Sequence, residues 1–168
     1  MTEIWKTIEN YETYSVSTFG QVMNNVTGKL LKGSKNSCGY VNTILSKNGE
    51  PKNYLVHRLV ALAFIQNPES KSQVDHIDNN PSNNSLENLR WASRRENNMN
   101  TQIYSNNTSG VKGIYWHNRH KKWCAHITID RKSIYLGSFA TKEEATLVRQ
   151  ARAKEVFGLF MNACESSS

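Results

Sequence analysis

The longest apolar run in the chain, Leu59 to Ile65, is only seven residues, and the rest of the sequence breaks into shorter β-like or polar stretches. A chain patterned in this way cannot build one large layered core. Its 38% hydrophobic residues suffice for small modules, each with a thin interior. The same run is far too short to span a bilayer. The N-terminal Met1-Thr2-Glu3-Ile4-Trp5-Lys6 lacks the apolar stretch of a secretory signal. Cys38, Cys124 and Cys164 are too far apart for a zinc-ligand pair or a disulfide framework. A soluble intracellular protein is expected, in the host cytoplasm if it is phage- or virus-encoded.

Three modules can be read along the chain. Residues 1–50 carry short strand-like runs (Tyr14–Ser17, Gln21–Met23, Gly28–Leu31, Tyr40–Leu45) separated by turn formers, which predicts a small antiparallel sheet. Residues 51–100 begin extended and continue into an apolar helix from His57, stopped near Asn67-Pro68. A short strand, Gln73–Ile77, then leads through an Asn-rich loop with Pro81 to Leu89-Arg90-Trp91. A helix follows from near Arg94, where Ser93 and Glu96 have capping-box spacing. Residues 101–110 are polar and uncharged, a linker by composition. Residues 111–162 show three strand-like runs (Val111–Trp116, Trp123–Ile129, Ser133–Phe139) and a helix opened by Thr141 and Glu144 and closed by Gly158. Ala145, Val148 and Ala151 form a weak apolar face on that helix, and Glu165–Ser168 is expected to be unstructured. The fold class is α+β: a small antiparallel sheet, a ββα core, then a three-stranded antiparallel sheet on one helix.

Charge separates the last module from the others. The chain holds 21 Lys and Arg against 14 Asp and Glu, for a net +7. Residues 101–168 carry ten basic and five acidic groups, so most of the excess lies there. An excess of that sign suits a polyanion, because each neutralised phosphate releases condensed counterions.

The segment able to do chemistry is Val74-Asp75-His76, Asn88-Leu89-Arg90-Trp91 and Asn97. Adjacent strand residues point to opposite faces unless the strand ends between them. If it ends at His76, Asp75 can face a metal while His76 faces a water. Asn97 lies one turn into the following helix, where its carbonyl oxygen is a second hard donor, a set suited to Mg²⁺ or Mn²⁺ rather than zinc. The bland reading suits other residues better. Asp78, Asn79, Asn83 and Asn84 are expected to be turn formers only, and His57 a buried structural histidine.

From Val74 through Asn97 the chain resembles the HNH (ββα-metal) nucleases, in particular the phage intron-encoded homing endonucleases. Upstream, Ile4-Trp5-Lys6, Tyr11, Tyr14–Ser17 and Gly20 resemble the nuclease-associated modular motif that precedes HNH in those enzymes, and Val56–Ala61 matches the segment between. The resemblance implies that His76 is the general base, that Asn88 fixes the loop and orients His76, and that Asp75 and Asn97 hold one divalent metal at the scissile phosphate. The last motif position is His in many HNH enzymes and Asn here.

Gly113, Trp116, Trp123, Leu136–Phe139 and Glu143–Ala145 resemble the DNA-binding domain of plant ethylene-response factors, whose sheet lies in the major groove. The resemblance implies groove-facing positions at Lys112, Ile114, Trp116, His126, Thr128, Ser133 and Tyr135. Several arginines of that family are replaced here, so its base preference does not carry over. The expectation is a site-specific, metal-dependent endonuclease acting as a monomer on double-stranded DNA, with no membrane partner. The alternative is a non-catalytic DNA-binding regulator derived from such an enzyme.

Overall fold

The computed structural model describes residues 2–101, 103 and 105–162; the segment Glu165–Ser168 lies outside the described residues. The chain forms two compact units, residues 1–94 and 95–168. Among the described residues no helix is long and apolar enough to cross a membrane.

In the first unit, β1 (Trp5–Ile8), β2 (Tyr11–Ser17), β3 (Val22–Asn24) and β4 (Lys29–Leu30) form an antiparallel sheet in sequence order. A second sheet, β5 (Ser34–Lys35), β6 (Val41–Lys47) and β7 (Glu50–Leu55), runs into helix α1 (Val56–Phe64). A two-stranded ribbon follows, β8 (Gln73–His76) against β9 (Leu89–Ala92). The N-terminal strands therefore make two small sheets where one was expected. The expected boundary after residue 50 falls inside the β6–β7 hairpin, whose turn residues Asn48 and Gly49 both have positive φ, as a tight two-residue hairpin needs.

One core explains why this boundary does not divide the unit. Val16 and Val22, Leu45 of β6, Val56, Leu59 and Val60 of α1, Val74 of β8, and Leu89 and Trp91 of β9 are buried together. Neither half could bury these side chains alone, and each contributes roughly 1.5–3 kcal/mol on burial. Trp91 adds a polar tie, its indole Nε1 donating to Ile65 O at 3.0 Å.

The second unit holds most of α2 (Arg94–Met99) and an antiparallel sheet, β10 (Ile114–His117), β11 (Lys122–Ile129) and β12 (Lys132–Phe139), with α3 (Lys142–Phe157) packed on one face. The β11–β12 turn, Asp130-Arg131, has φ of 49° and 65°. Thr141 and Glu144 form the expected capping box. The buried stripe of α3 differs from the expected one: it is Ala145, Arg149, Ala153 and Phe157, while Val148 and Ala151 are exposed. Arg149 fits because the sheet leaves it room at Gly113. That glycine has φ +69°, and a Cβ there would lie 2.2 Å from His126 O and 2.9 Å from Arg149 Nε.

The segment read as a linker is in part an ordered turn of this unit. Asn107 accepts from Gly110 N at 2.7 Å and donates to Val111 O at 3.0 Å, and Ser109 Oγ donates to Val111 O at 2.8 Å. Asn and Ser side chains can close backbone turns in this way without apolar neighbours. A second polar clasp joins Asn162 Nδ2 to the buried Asn100 at 3.0 Å.

Candidate active site

The β8–β9 ribbon sets Asp75 directly opposite Arg90 and His76 opposite Leu89. Asp75 is buried, and its Oδ2 accepts from Arg90 Nε at 2.8 Å and Nη2 at 2.7 Å. These charge-assisted bonds fix the rotamer of a carboxylate that would otherwise be costly to bury. Arg90 was not singled out from the sequence; only a correct strand register reveals that it faces Asp75.

β8 ends at His76. The backbone turns there, with Asn79 N donating to His76 O at 2.9 Å and Ile77 N to Asn88 O at 2.9 Å. The His76 side chain is buried, 6% exposed. Its ring packs on His57 with centroids 4.9 Å apart and on Tyr40 at 5.8 Å, and its Nε2 lies 3.3 Å from Asn84 Oδ1. Burial pushes the His76 pKa down, against the pull of Asn84, Asp78 and Asp75, so the imidazole is neutral at pH 7. His57 is buried as expected. Desolvation, together with the charges of His76 and Arg58, lowers its pKa to about 4.

The loop after β8 is laced by side-chain amides. Asn88 Nδ2 donates to Asp78 Oδ1 at 2.8 Å and Asn83 O at 2.9 Å, while Asn88 Oδ1 accepts from Asp78 N at 3.0 Å. Asp78 Oδ2 accepts from Asn83 Nδ2 at 2.7 Å, and Oδ1 from Asn80 N at 2.8 Å. Burial opposes ionisation of Asp78, but the bonds from Asn83, Asn80 and Asn88 outweigh it and hold the carboxyl below its usual value. Asp78, Asn83 and Asn84 thus do more than form a turn. Asn84 is the residue sequence reasoning missed, since nothing in the run Asp78–Asn84 distinguishes it from the other asparagines.

Of the expected site residues, Asp75, His76 and Asn88 stand in the first unit within this ribbon and loop. Asn97 stands half-buried on α2, in the second unit. Among the described residues no three His, Cys, Asp or Glu side chains gather as in a zinc cage. The expected ligand types, a carboxylate preset by Arg90 and an amide, are hard oxygen donors. That chemistry fits a cation such as Mg²⁺, which takes few protein ligands and fills its shell with water and phosphate.

The second unit offers a different surface. On the sheet face away from α3, Tyr115 Oη lies 3.3 Å from His126 Nε2, and Ser133 Oγ lies 3.2 Å from His126 Nδ1. The Tyr135 ring packs on His126 at 5.2 Å, and its hydroxyl bonds Ser138. Thr128 is exposed opposite Ser133. Two of the expected groove-facing residues belong to the other face. Ile114 is 3% exposed in the core under α3, and Trp116, two residues on, shares its side and packs on Trp123 at 5.3 Å. Tyr115 takes the open position instead. Lys112 Nζ donates to Thr101 O at 2.6 Å.

Comparison with known proteins places two family matches within residues 3–99. The HNH endonuclease family model matches residues 54–99 and the NUMOD4 motif residues 3–46. An uncharacterised HNH endonuclease of Acanthamoeba polyphaga mimivirus is 36% identical over 90% of this chain and 42% of its own length. The DNA endonuclease I-HmuI of Bacillus phage SP01 is 43% identical over 55% of this chain and 54% of its own length. The chain thus spans about half the length of these relatives. A solved structure, described as DNA binding and cleavage by the HNH homing endonuclease I-HmuI, aligns with 92% of this chain and 83% of its own at 31% identity, with a TM-score of 0.56. The nuclease-associated motif and the HNH segment are therefore both present where the residues suggested them.

Proposed function

The chain belongs to the HNH endonuclease family, and we propose that it is a DNA endonuclease of the homing type that hydrolyses a phosphodiester bond at a chosen site. The observation carrying this reading is His76: a buried, neutral imidazole at the end of a strand, walled by His57 and Tyr40, beside a loop that Asn88 locks. A neutral imidazole accepts a proton from water at pH 7, which is the task of a general base. Asn88 holds the turn that ends β8, and so fixes where that base stands. Asp75, preset by Arg90, would hold the divalent metal, Mg²⁺ or Mn²⁺, and the family resemblance assigns the second ligand to Asn97. When bound, such an ion supplies Lewis-acid stabilisation of charge on the phosphate and leaving oxygen.

Target choice falls to the second unit, whose three-stranded sheet on one helix is similar in pattern to the plant ethylene-response-factor domain. Strands of this kind fit the major groove. Tyr115, His126, Thr128, Ser133 and Tyr135 offer donors, acceptors and flat rings on the open face, with Lys112 at its edge. Lys121 and Arg131 in the turns, with Lys122 at the start of β11, would meet phosphates, which position a protein without reading sequence. The chain acts on double-stranded DNA as a monomer. Purified protein incubated with duplex DNA and Mg²⁺ should leave 5′-phosphate and 3′-hydroxyl ends at a recurrent position, and EDTA should abolish the cutting. Intact DNA under these conditions would refute the assignment.

A further inference from the structure

The N-terminal sheets reach the loop between β8 and β9 at three places. Leu86 N donates to Thr18 O at 2.8 Å. Ser82 Oγ donates to Gly39 O at 3.0 Å. The closest approach is at Gly20, with φ +76°, where an added Cβ would lie 2.6 Å from Asn84 Cβ and 2.8 Å from Asn84 O. Separations that short are not tolerated, and the atoms concerned are backbone and Cβ rather than a mobile side-chain end. Asn84 is therefore pressed between a module with no chemistry of its own and the ring of His76. It is 6% exposed, and its Oδ1 faces His76 Nε2 at 3.3 Å.

We propose that Asn84 is a positioning residue for His76 and that Gly20 holds Asn84 in place, so that the N-terminal module is part of the catalytic apparatus. The inference rests on the reading of His76 as general base. An amide oxygen only accepts hydrogen bonds, so the Nε2 facing it carries the ring proton and the lone pair resides on Nδ1. Asn84 thereby sets both the tautomer and the angle of the ring, while His57 and Tyr40 confine its faces. When Nδ1 takes a proton from the attacking water, the Nε2–H of the resulting cation already points at the amide dipole. Tautomer selection by the partner of the second nitrogen is a general property of imidazole bases. What is specific here is that the partner is a side chain buttressed by a glycine more than sixty residues earlier in the sequence.

Asn84→Ala, Asn84→Asp and Gly20→Ala in the full chain test the proposal, with two readouts: ¹⁵N NMR of the His76 ring in metal-free protein, and the steady-state kinetics of DNA cleavage. In the wild type, Nε2 should be the protonated nitrogen. Asn84→Ala should make the ring a mixture of tautomers and lower kcat by about 10²-fold, the scale of a misplaced reacting group, with KM for DNA changed less than about threefold. Asn84→Asp keeps an acceptor at the same place and should restore the Nε2–H tautomer and most of kcat. Gly20→Ala should follow Asn84→Ala in both readouts while the Trp91 indole resonance stays native. A His76 ring protonated on Nδ1 in the wild type, or Asn84→Ala with wild-type kcat and an unchanged ring, would overturn the proposal. Should Asn84→Ala fail to fold, Asn84→Asp decides: a native fold without the Nε2–H tautomer is contrary to it. Failure of the general-base reading itself would look different, with His76→Ala cutting normally while the Asn84 variants still shift the ring signals.

Discussion

Replacing Asn88 by Ala removes three hydrogen bonds at one buried position: the donor pair to Asp78 Oδ1 and Asn83 O, and the acceptor for Asp78 N. The bond to a carboxylate contributes roughly 1.5–3 kcal/mol and each of the others roughly 0.5–1.5 kcal/mol. Asp78 retains Asn83 Nδ2 and Asn80 N, and it is exposed, so the loss falls toward the lower end of the summed range, about 3 kcal/mol. Urea unfolding followed at the Trp91 indole proton reports the first unit alone. With a slope of about 2 kcal/mol/M the midpoint should fall by about 1.5 M. Asn88→Asp supplies a control, because it keeps the size but loses both donors and sets a second carboxylate against Asp78. It should destabilise at least as much as Ala. A midpoint lowered by less than about 0.25 M in Asn88→Ala, or a milder Asn88→Asp, would refute the claim that this amide locks the loop.

Acid should weaken the first unit through His57. Its folded pKa of about 4 lies below the 6.5 of the unfolded chain, so the unfolded state binds more protons between those values. The contribution is full above about pH 6.5 and lost as pH falls toward 4, up to about 3 kcal/mol in all; His57→Gln should flatten the pH dependence of the urea midpoint, and an unchanged slope would contradict the assignment. In the second unit Gly113→Ala forces a Cβ to 2.2 Å from His126 O at φ +69°. A loss above about 2 kcal/mol is expected in unfolding followed by Trp123 fluorescence, and wild-type stability would show the α3–β11 packing to be misread. Lys121→Ala, in the β10–β11 turn, should weaken binding equally on cognate and scrambled duplexes and reduce the salt slope by about one unit; a sequence-dependent loss would place the turn against bases.

The elements were legible where the local signal was redundant. Thr141 and Glu144 mark the start of α3 by residue type and spacing together, and the β-former run at Val41–Leu45 is bounded by Gly39 and Asn48-Gly49. The HNH segment was legible because the joint spacing of Asp75, His76, Asn88 and Asn97 is informative even when each residue alone is not. What failed depended on a partner distant in sequence. Ile114 and Tyr115 are both bulky β-formers, and only the packing of α3 on Ile114 and Ala125 decides which one faces outward. The expected face of Ala145, Val148 and Ala151 left out Arg149, which is buried because Gly113 opens space for it. Thr101–Gly110 has linker composition, but Asn107 and Ser109 close a turn by bonds that composition does not record. Arg90 and Asn84 gain their importance from register and from Gly20, neither of which is a property of the local sequence.

The central claim is that His76 is the base of a DNA-cleaving site, and one paired measurement tests it most directly. Cleavage rate and DNA affinity are compared for wild type and His76→Ala on the same duplex, with Mg²⁺ for cleavage and with EDTA for binding. The account expects cleavage to fall by a factor on the order of 10² or more while the dissociation constant changes less than about threefold. Undiminished cutting by His76→Ala would contradict it.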